Sequence, residues 1–185
     1  SADVILRRHG ATVRPLRMKH FREDAQVIKN VYNAAWSLNW GFVPFTDAEF
    51  DHVAADMKQI VDPDLCLIAE VRGEPVGFSL TLPDVNQALK HLPDGRLFPF
   101  GVFKFLWHKR KIDRARVITL GFKPAFQRSG LGAAFYLKTY LNSRERGYRE
   151  GEGSWILEDN HEMRHAMEKM GATVYKTYRV YERPL

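Results

Sequence analysis

The spacing of apolar residues changes period several times along the chain, and each change marks an element. Thr12 to Met18 alternates and predicts a first strand. From Phe21 to about Ser37, the residues Ala25, Ile28, Val31, Tyr32 and Ala35 fall on one face, which predicts an amphipathic helix. Gly41 and Pro44 break that helix in the loop Asn39-Trp40-Gly41-Phe42-Val43-Pro44-Phe45, whose aromatics either tuck into the core or line a cleft. Thr46 and Glu49 have the spacing of a capping box. They open a second helix with Phe50, Val53, Ala54, Met57, Ile60 and Val61 on one stripe and Pro63 just past its end. Leu65 to Val71 reads as a buried strand, Arg72 to Pro75 as a turn, and Val76 to Leu82 as the returning strand of a hairpin.

Residues 84–115 are less regular and read as an insertion; within them, 98–111 is aromatic and then basic. Arg116 to Gly121 is apolar and β-branched and predicts a strand that Pro124 ends, because proline cannot donate to a ladder. A helix is expected from about Gly130 to Arg146, a loop at Glu150 to Gly153, and a strand at Ser154 to Leu157. His161 to Met170 reads as a short helix stopped by Gly171, and Thr173 to Tyr181 alternates as a final strand. Residues 1–11 are polar and basic and read as a linker or edge segment ahead of a single domain at 12–185.

Composition narrows the chemistry. With 185 residues, 45% of them hydrophobic, the chain can bury one real core. A net charge of +6 favours an acidic partner: a polyanionic cofactor, a nucleic acid or an anionic membrane surface. No helix-turn-helix or RNA-binding signature accompanies the charge, so no nucleic acid partner is expected. The single cysteine, Cys66, lies in the apolar run Leu65-Cys66-Leu67-Ile68-Ala69 and reads as a small buried hydrophobe. A disulfide framework or cysteine-based zinc site within one chain is thereby excluded, and no metal is expected. The sequence shows no leader pattern and no apolar run of about 18 residues, so the expected location is cytoplasmic.

The candidate chemistry centres on Gln127-Arg128-Ser129-Gly130-Leu131-Gly132, a Q-x-x-G-x-G turn between the Arg116–Gly121 strand and the following helix. N–H groups at a helix start carry partial positive charge and suit a phosphate or pyrophosphate. Glycine lets the anion approach the backbone, and Arg128 can add a charge-assisted contact. The third glycine of a dinucleotide-binding fingerprint is absent, since Phe135 occupies its place, and there is no Walker A loop.

This turn, in this context, resembles motif A of the GNAT superfamily of acyltransferases. The predicted order β-α-α-β-β-β-α-β-α-β is similar to the GNAT fold: an α/β (α+β) architecture with a mixed, mostly antiparallel central sheet and helices on both faces. Glu158-Asp159-Asn160, with Gly171 eleven residues after the asparagine, resembles the superfamily's motif B. Trp36, Asn39 to Pro44, Leu82 to Asn86 and Trp155 to Asn160 resemble the C-terminal half of the bacterial ceramide-synthase-like group, whose members are roughly twice this length. The resemblance implies acyl-CoA as co-substrate, acetyl-CoA or longer, and an amine acceptor, either a small molecule or a lipid amine such as a sphingoid base.

It also implies roles. Amides near Leu120, Gly121 and Phe122 would hold the thioester carbonyl, and those of Arg128, Ser129, Gly130, Leu131, Gly132 and Ala133 the pyrophosphate, with Gln127 opening the turn. Glu158 is the first candidate base. Asn160 would orient the pantetheine arm or cap the next helix. The tyrosine that the superfamily places seven residues after that asparagine is Met167 here, which cannot give a proton; His161, His165 and Tyr175 are the alternatives, with Tyr175 chosen. The aromatic and basic run at 98–111 suits either peripheral contact with a membrane or burial against the sheet or in a homodimer contact. The rival reading is a non-catalytic GNAT-like module that binds CoA, or serves as an interaction module, within a larger protein.

Overall fold

The computed structural model describes residues 2–37, 42–92, 94–96, 98–153, 155–179 and 181–183. Asn39, Trp40 and Gly41 of the aromatic loop, and Ser154, lie outside the described residues. The chain divides into two units, Ser1–Ser154 and Trp155–Leu185.

In the first unit, the strands that the described residues form are hydrogen-bonded in chain order: β1 (Ala11–Pro15), β2 (Cys66–Val71), β3 (Glu74–Pro83), β4 (Arg114–Phe122) and β5 (Glu150–Gly153). Neighbours from β1 to β4 are antiparallel, and β5 joins β4 in parallel. The sheet is therefore mixed and mostly antiparallel. Alternate side chains divide between its faces. Leu67, Ala69, Phe122 and Val13 meet Phe135 of α6 (Gly132–Glu145), Leu131 just ahead of it, and Ile5 and Leu6 of α1 (Ala2–His9). On the opposite face Phe78 packs against Tyr32 and Trp36 of α2 (Phe21–Trp36). α3 (Asp47–Lys58) starts from a complete capping box, with Thr46 and Glu49 bonding each other's backbone N–H groups. Cys66 is buried as expected, and burial pushes its thiol up to about 12, with the Asp24 charge adding to the effect. It is chemically inert at neutral pH.

Several expectations need correction. Residues 2–9 are not a linker: they form α1, whose Ala2, Ile5, Leu6 and His9 recur at i, i+3, i+4 and i+7 and turn inward. The insertion carries α4 (Asn86–Leu89) and α5 (Gly101–Lys109). Glu150 to Gly153, expected as a loop, is β5. It has no apolar residue, and the ladder is fixed by charge: Glu150 pairs with Arg114 at 2.6 Å and Glu152 with Arg116 at 3.3 Å, each opposite its partner in the register.

The second unit holds α7 (His161–Lys169), closed by Gly171 at φ +85°. Residues 155–157 and 173–179, expected as strands, have no regular secondary structure. Alternation specifies a face but not a partner, and without a ladder a strand has nowhere to place its N–H and C=O groups.

One buried charge ties the first unit's start together. Asp24 is fully buried on α2 and accepts hydrogen bonds from Arg14 at 2.9 Å, from Arg17 at 2.7 Å and from the Arg17 backbone N–H at 2.8 Å. Arg14 continues to Glu70 of β2 at 2.8 Å. Burial raises the Asp24 pKa, but the hydrogen bonds from Arg17 and Arg14 outweigh it and hold the carboxyl below the usual carboxylate range. Its contribution to stability is thus complete above the unfolded value of about 3.9 and is lost as pH falls through the lower folded value. Asp24→Asn leaves two arginines facing each other and is expected to cost about 3 kcal/mol at neutral pH, with the gap to wild type closing in strong acid. Urea denaturation of both proteins across pH checks the size and the sign.

Candidate active site

The site is built on β4, which changes character halfway along its length. From Arg114 to Val117 it is paired on both sides, with β3 and with β5. At Ile118 the register with β3 shifts, Leu80 opposing Thr119 while Thr81 opposes Val117, so Ile118 is an extra residue, a β-bulge. A bulge bends its strand and increases the twist. Among the described residues, the last pair of the β5 ladder is the preceding one, Val117 with Gly153. Beyond the bulge, β4 is paired with β3 alone among the described residues.

The direction of its amides follows from the ladder. The Lys123 N–H donates to the Val76 carbonyl at 2.8 Å, and Gly121 with Phe78 and Thr119 with Leu80 continue that register in steps of two. In an antiparallel pair, N–H groups alternate between the two edges. Those of Leu120 and Phe122 therefore face away from β3, toward the unpaired edge, whereas Gly121 faces β3. Gly121 instead makes room: a Cβ there would stand 2.3 Å from the Trp36 indole.

After β4, a 3-10 turn at Pro124–Phe126 leads into the turn of interest. Five of the amides from Gln127 to Ala134 are used within the protein, Gln127 N–H donating to Pro124 O at 3.4 Å. Ser129 N–H donates to Phe126 O, Leu131 N–H to Ser129 Oγ, Ala133 N–H to Gly130 O and Ala134 N–H to Leu131 O, at 3.0 to 3.2 Å. Among the described residues, the N–H groups of Arg128, Gly130 and Gly132 have no acceptor. They alternate with the engaged ones at the start of α6, where the helix dipole is positive. Gly130 holds φ +80°, a conformation an L side chain rarely adopts. Gly132 has space around it, a Cβ meeting nothing closer than 4.0 Å. The Arg128 side chain is exposed and forms no ion pair among the described residues.

Two contacts hold this turn in place. Gln127 Nε2 donates to the Ala35 carbonyl at the end of α2 (3.2 Å) and to Phe122 O (3.4 Å). From the other side Ile5 of α1 lies beside Gly130, and His9 Nε2 is 3.1 Å from the Ser129 carbonyl oxygen. The bulge and this α1 buttress were not anticipated. The α1 contact had a signal, the i, i+3, i+4, i+7 spacing from Ala2 to His9, whereas no residue type announces a bulge at isoleucine.

The second unit carries the remaining expected residues. Glu158 is exposed, and Arg179 grips its carboxylate at 2.5 and 3.3 Å. The hydrogen bond from Arg179, then its charge, hold Glu158 below the ordinary glutamate range. Asn160 caps α7, its Oδ1 accepting the Met163 N–H at 3.1 Å. Tyr175 is exposed, with the Lys176 ammonium 5.1 Å from its ring centre.

A mixed, mostly antiparallel sheet, a bulge in the fourth strand and a glycine turn leading into a helix are the features of the GNAT fold, and this chain has it. Solved structures confirm the fold: an aminoglycoside acetyltransferase, AAC(6')-Iy, in complex with a CoA-containing bisubstrate analogue (TM-score 0.59, 11% identity, 95% of this chain and 99% of that one). Ard1 from Thermoplasma volcanium matches at TM-score 0.59 and 17% identity over 90% of this chain and 84% of that one. In sequence the chain is similar to the bacterial ceramide synthase of Caulobacter vibrioides, 40% identical over 95% of this chain, and to the protein YghO of Escherichia coli, 36% identical over 96%. It spans 47% of the length of each of these curated relatives. No family model matches it.

The two glycines of the turn are expected to differ in a melting experiment. Gly130→Ala forces a side chain into the left-handed region and should cost about 1–2 kcal/mol. Gly132→Ala, with open space and ordinary helix backbone, should leave the melting temperature unchanged or slightly raised.

Proposed function

We propose that the chain is an acyl-CoA-dependent N-acyltransferase domain that transfers an acetyl or longer acyl group to an amine. The observation that carries this reading is the set of unpaired amides at Arg128, Gly130 and Gly132, next to a β4 edge that presents the Leu120 and Phe122 amides. The first set fits a diphosphate, with Arg128 free to add charge. The second set fits a carbonyl whose oxygen gains negative charge as an amine attacks it.

The bound thioester supplies the activated acyl carbon. The chain's residues do the rest. Leu120 and Phe122 orient the carbonyl, and the turn from Gln127 to Ala133 anchors the nucleotide end. As the C–N bond forms and the C–S bond breaks, one proton leaves the amine and one reaches the sulfur. Glu158 is the proposed acceptor of the first and Tyr175 the proposed donor of the second. Asn160 serves the pantetheine arm through the capped start of α7. The acceptor we propose is a long-chain lipid amine, in keeping with the relative named bacterial ceramide synthase.

A second reading is a CoA-binding module without turnover. Two observations favour it: Met167 stands where a proton-donating tyrosine is expected, and Arg179 occupies both carboxylate oxygens of Glu158.

Gly132→Asp separates fold from binding. A carboxylate in the first turn of α6 favours the helix but repels a diphosphate. The variant should melt no lower than wild type yet bind CoA at least about tenfold more weakly by calorimetry, a loss of roughly 1.4 kcal/mol. Unchanged affinity sinks the site. Turnover of acetyl-CoA and palmitoyl-CoA against a panel of amines then decides between enzyme and module.

A pH profile tests the base. Arg179 keeps Glu158 ionised to lower pH, so Arg179→Met should raise its pKa and move the acid limb of kcat/KM to higher pH. An acid limb that stays put removes Glu158 from the role.

A further inference from the structure

α5 lies in the insertion between β3 and β4, and its two faces are unlike. One face is engaged with the protein: His108 stacks on His91 at 3.7 Å between ring centres, and Lys109 donates to the Gln59 carbonyl beyond the end of α3 at 3.2 Å. The opposite face is open and aromatic. Phe103 and Trp107 are 71% and 61% exposed, with Leu106 between them at 50%. The turn before the helix extends the patch with Phe98 and Phe100, 81% and 78% exposed. Five large apolar side chains uncovered within ten residues exceed what scattered surface hydrophobics account for.

Charge selects the occupant. Between Gly95 and Ile112 there is no acidic residue, while Arg96, Lys104, Lys109, Arg110 and Lys111 are basic. Arg110, which closes the helix, continues the open face one turn beyond Trp107, with Lys104 on the helix and Lys111 just past it at the border. The Lys111 ammonium sits 5.2 Å from the Trp107 ring centre, so cation and aromatic ring share one surface. Aromatic residues seek the boundary between headgroups and acyl chains, and long basic side chains reach the anionic headgroups beside them. A protein partner would need an acidic groove; an anionic bilayer supplies both halves of the match without one.

We propose that α5 and the turn before it dock the protein on an anionic membrane surface, with Phe98, Phe100, Phe103 and Trp107 entering the interface and Lys104, Arg110 and Lys111 over the headgroups. The purpose this gives the helix, drawing a lipid amine from the bilayer, rests on the proposed acceptor; the docking itself does not, and it is measured without acyl-CoA or amine.

The test is co-sedimentation with vesicles of phosphatidylcholine alone and with about 30% phosphatidylglycerol. The protein is expected on the anionic vesicles, not on the neutral ones, and to leave them in about 0.5 M salt. The triple variant F100S/F103S/W107S should bind at least about tenfold more weakly while keeping its CoA affinity. K104E/R110E/K111E, which leaves the apolar residues in place, should lose the preference for anionic lipid and serves if the first variant folds poorly. Equal binding of wild type to both vesicle types, or no loss in either variant, overturns the proposal. So does a dimer in sedimentation velocity that the aromatic variant abolishes, because the face is then covered by a second copy.

Discussion

A β-strand can present amides to a ligand only if one of its edges is left without a partner. That constraint shapes β4. Its first half is locked between β3 and β5, and beyond the extra residue at Ile118 its second half is paired, among the described residues, with β3 alone. The charge pairs Arg114–Glu150 and Arg116–Glu152 belong to the same arrangement, since they hold β5 against the half of β4 that precedes the bulge. Among the described residues, no strand pairs with the Leu120 and Phe122 amides, which come one turn of chain before the glycine loop, so strand edge and helix start offer their donors in succession. An unpaired edge is normally a hazard for aggregation; here its length is only the few residues after Ile118.

The parts of this arrangement that follow from local chemistry were legible in the sequence. The α2 stripe, the Thr46–Glu49 capping box, the β2–β3 hairpin and the Gln127–Gly132 turn each depend on residues within a few positions of one another. The parts that were not legible depend on partners far away in the chain. Glu150 to Gly153 becomes a strand because two arginines about 36 positions earlier face its glutamates. Residues 173–179 alternate as a strand would, yet have no ladder, because side-chain period does not supply a hydrogen-bonding neighbour. α1 lies between these cases. Its inward residues have helical spacing, but Asp3 and the Arg7-Arg8-His9 end mask it as a polar segment until Ile5 and His9 are seen against the glycine turn. At the candidate site, the donor residues named from sequence sit where amides are open or alternate with open ones, apart from Gly121, whose N–H faces β3. Of the residues named for proton transfer, Glu158 comes from the motif B resemblance and Tyr175 from chemical type alone, and nothing in the sequence marks Arg179 as the partner of Glu158.

That ion pair bears on how the chemistry would run. A carboxylate held by an arginine is a weak base, and an ordinary amine near neutral pH arrives protonated. Proton removal by Glu158 therefore requires either that the amine be desolvated on binding, which lowers its own pKa, or that Arg179 let go when the acceptor arrives. A lipid amine favours the first route, because its chain carries the headgroup into an apolar setting. The aromatic and basic face of α5 is consistent with a protein that meets such a substrate at an interface.

The freed half of β4 also has to be stiff, because donors that wander do not stabilise developing charge. With a ladder on one side only among the described residues, stiffness must come from packing. Two glycines make that packing close. At Gly77 a Cβ would stand 2.3 Å from the Phe122 ring, and at Gly121 the same distance from the Trp36 indole. The two positions belong to adjacent cross-strand pairs, Gly77 with Phe122 and Phe78 with Gly121, so they open opposite faces of the sheet. One ring lies over the β3 backbone from the α6 side, stacked on Phe135 at 5.0 Å, and the other lies over the β4 backbone from the α2 side, stacked on Tyr32 at 4.7 Å. The strand end that carries the outward amides is thus clamped between two aromatic stacks, and Gln127, bonded to both Ala35 and Phe122, couples that clamp to the glycine turn. Glycine at these two places supplies the room that lets side chains brace this end of β4 as a second ladder would.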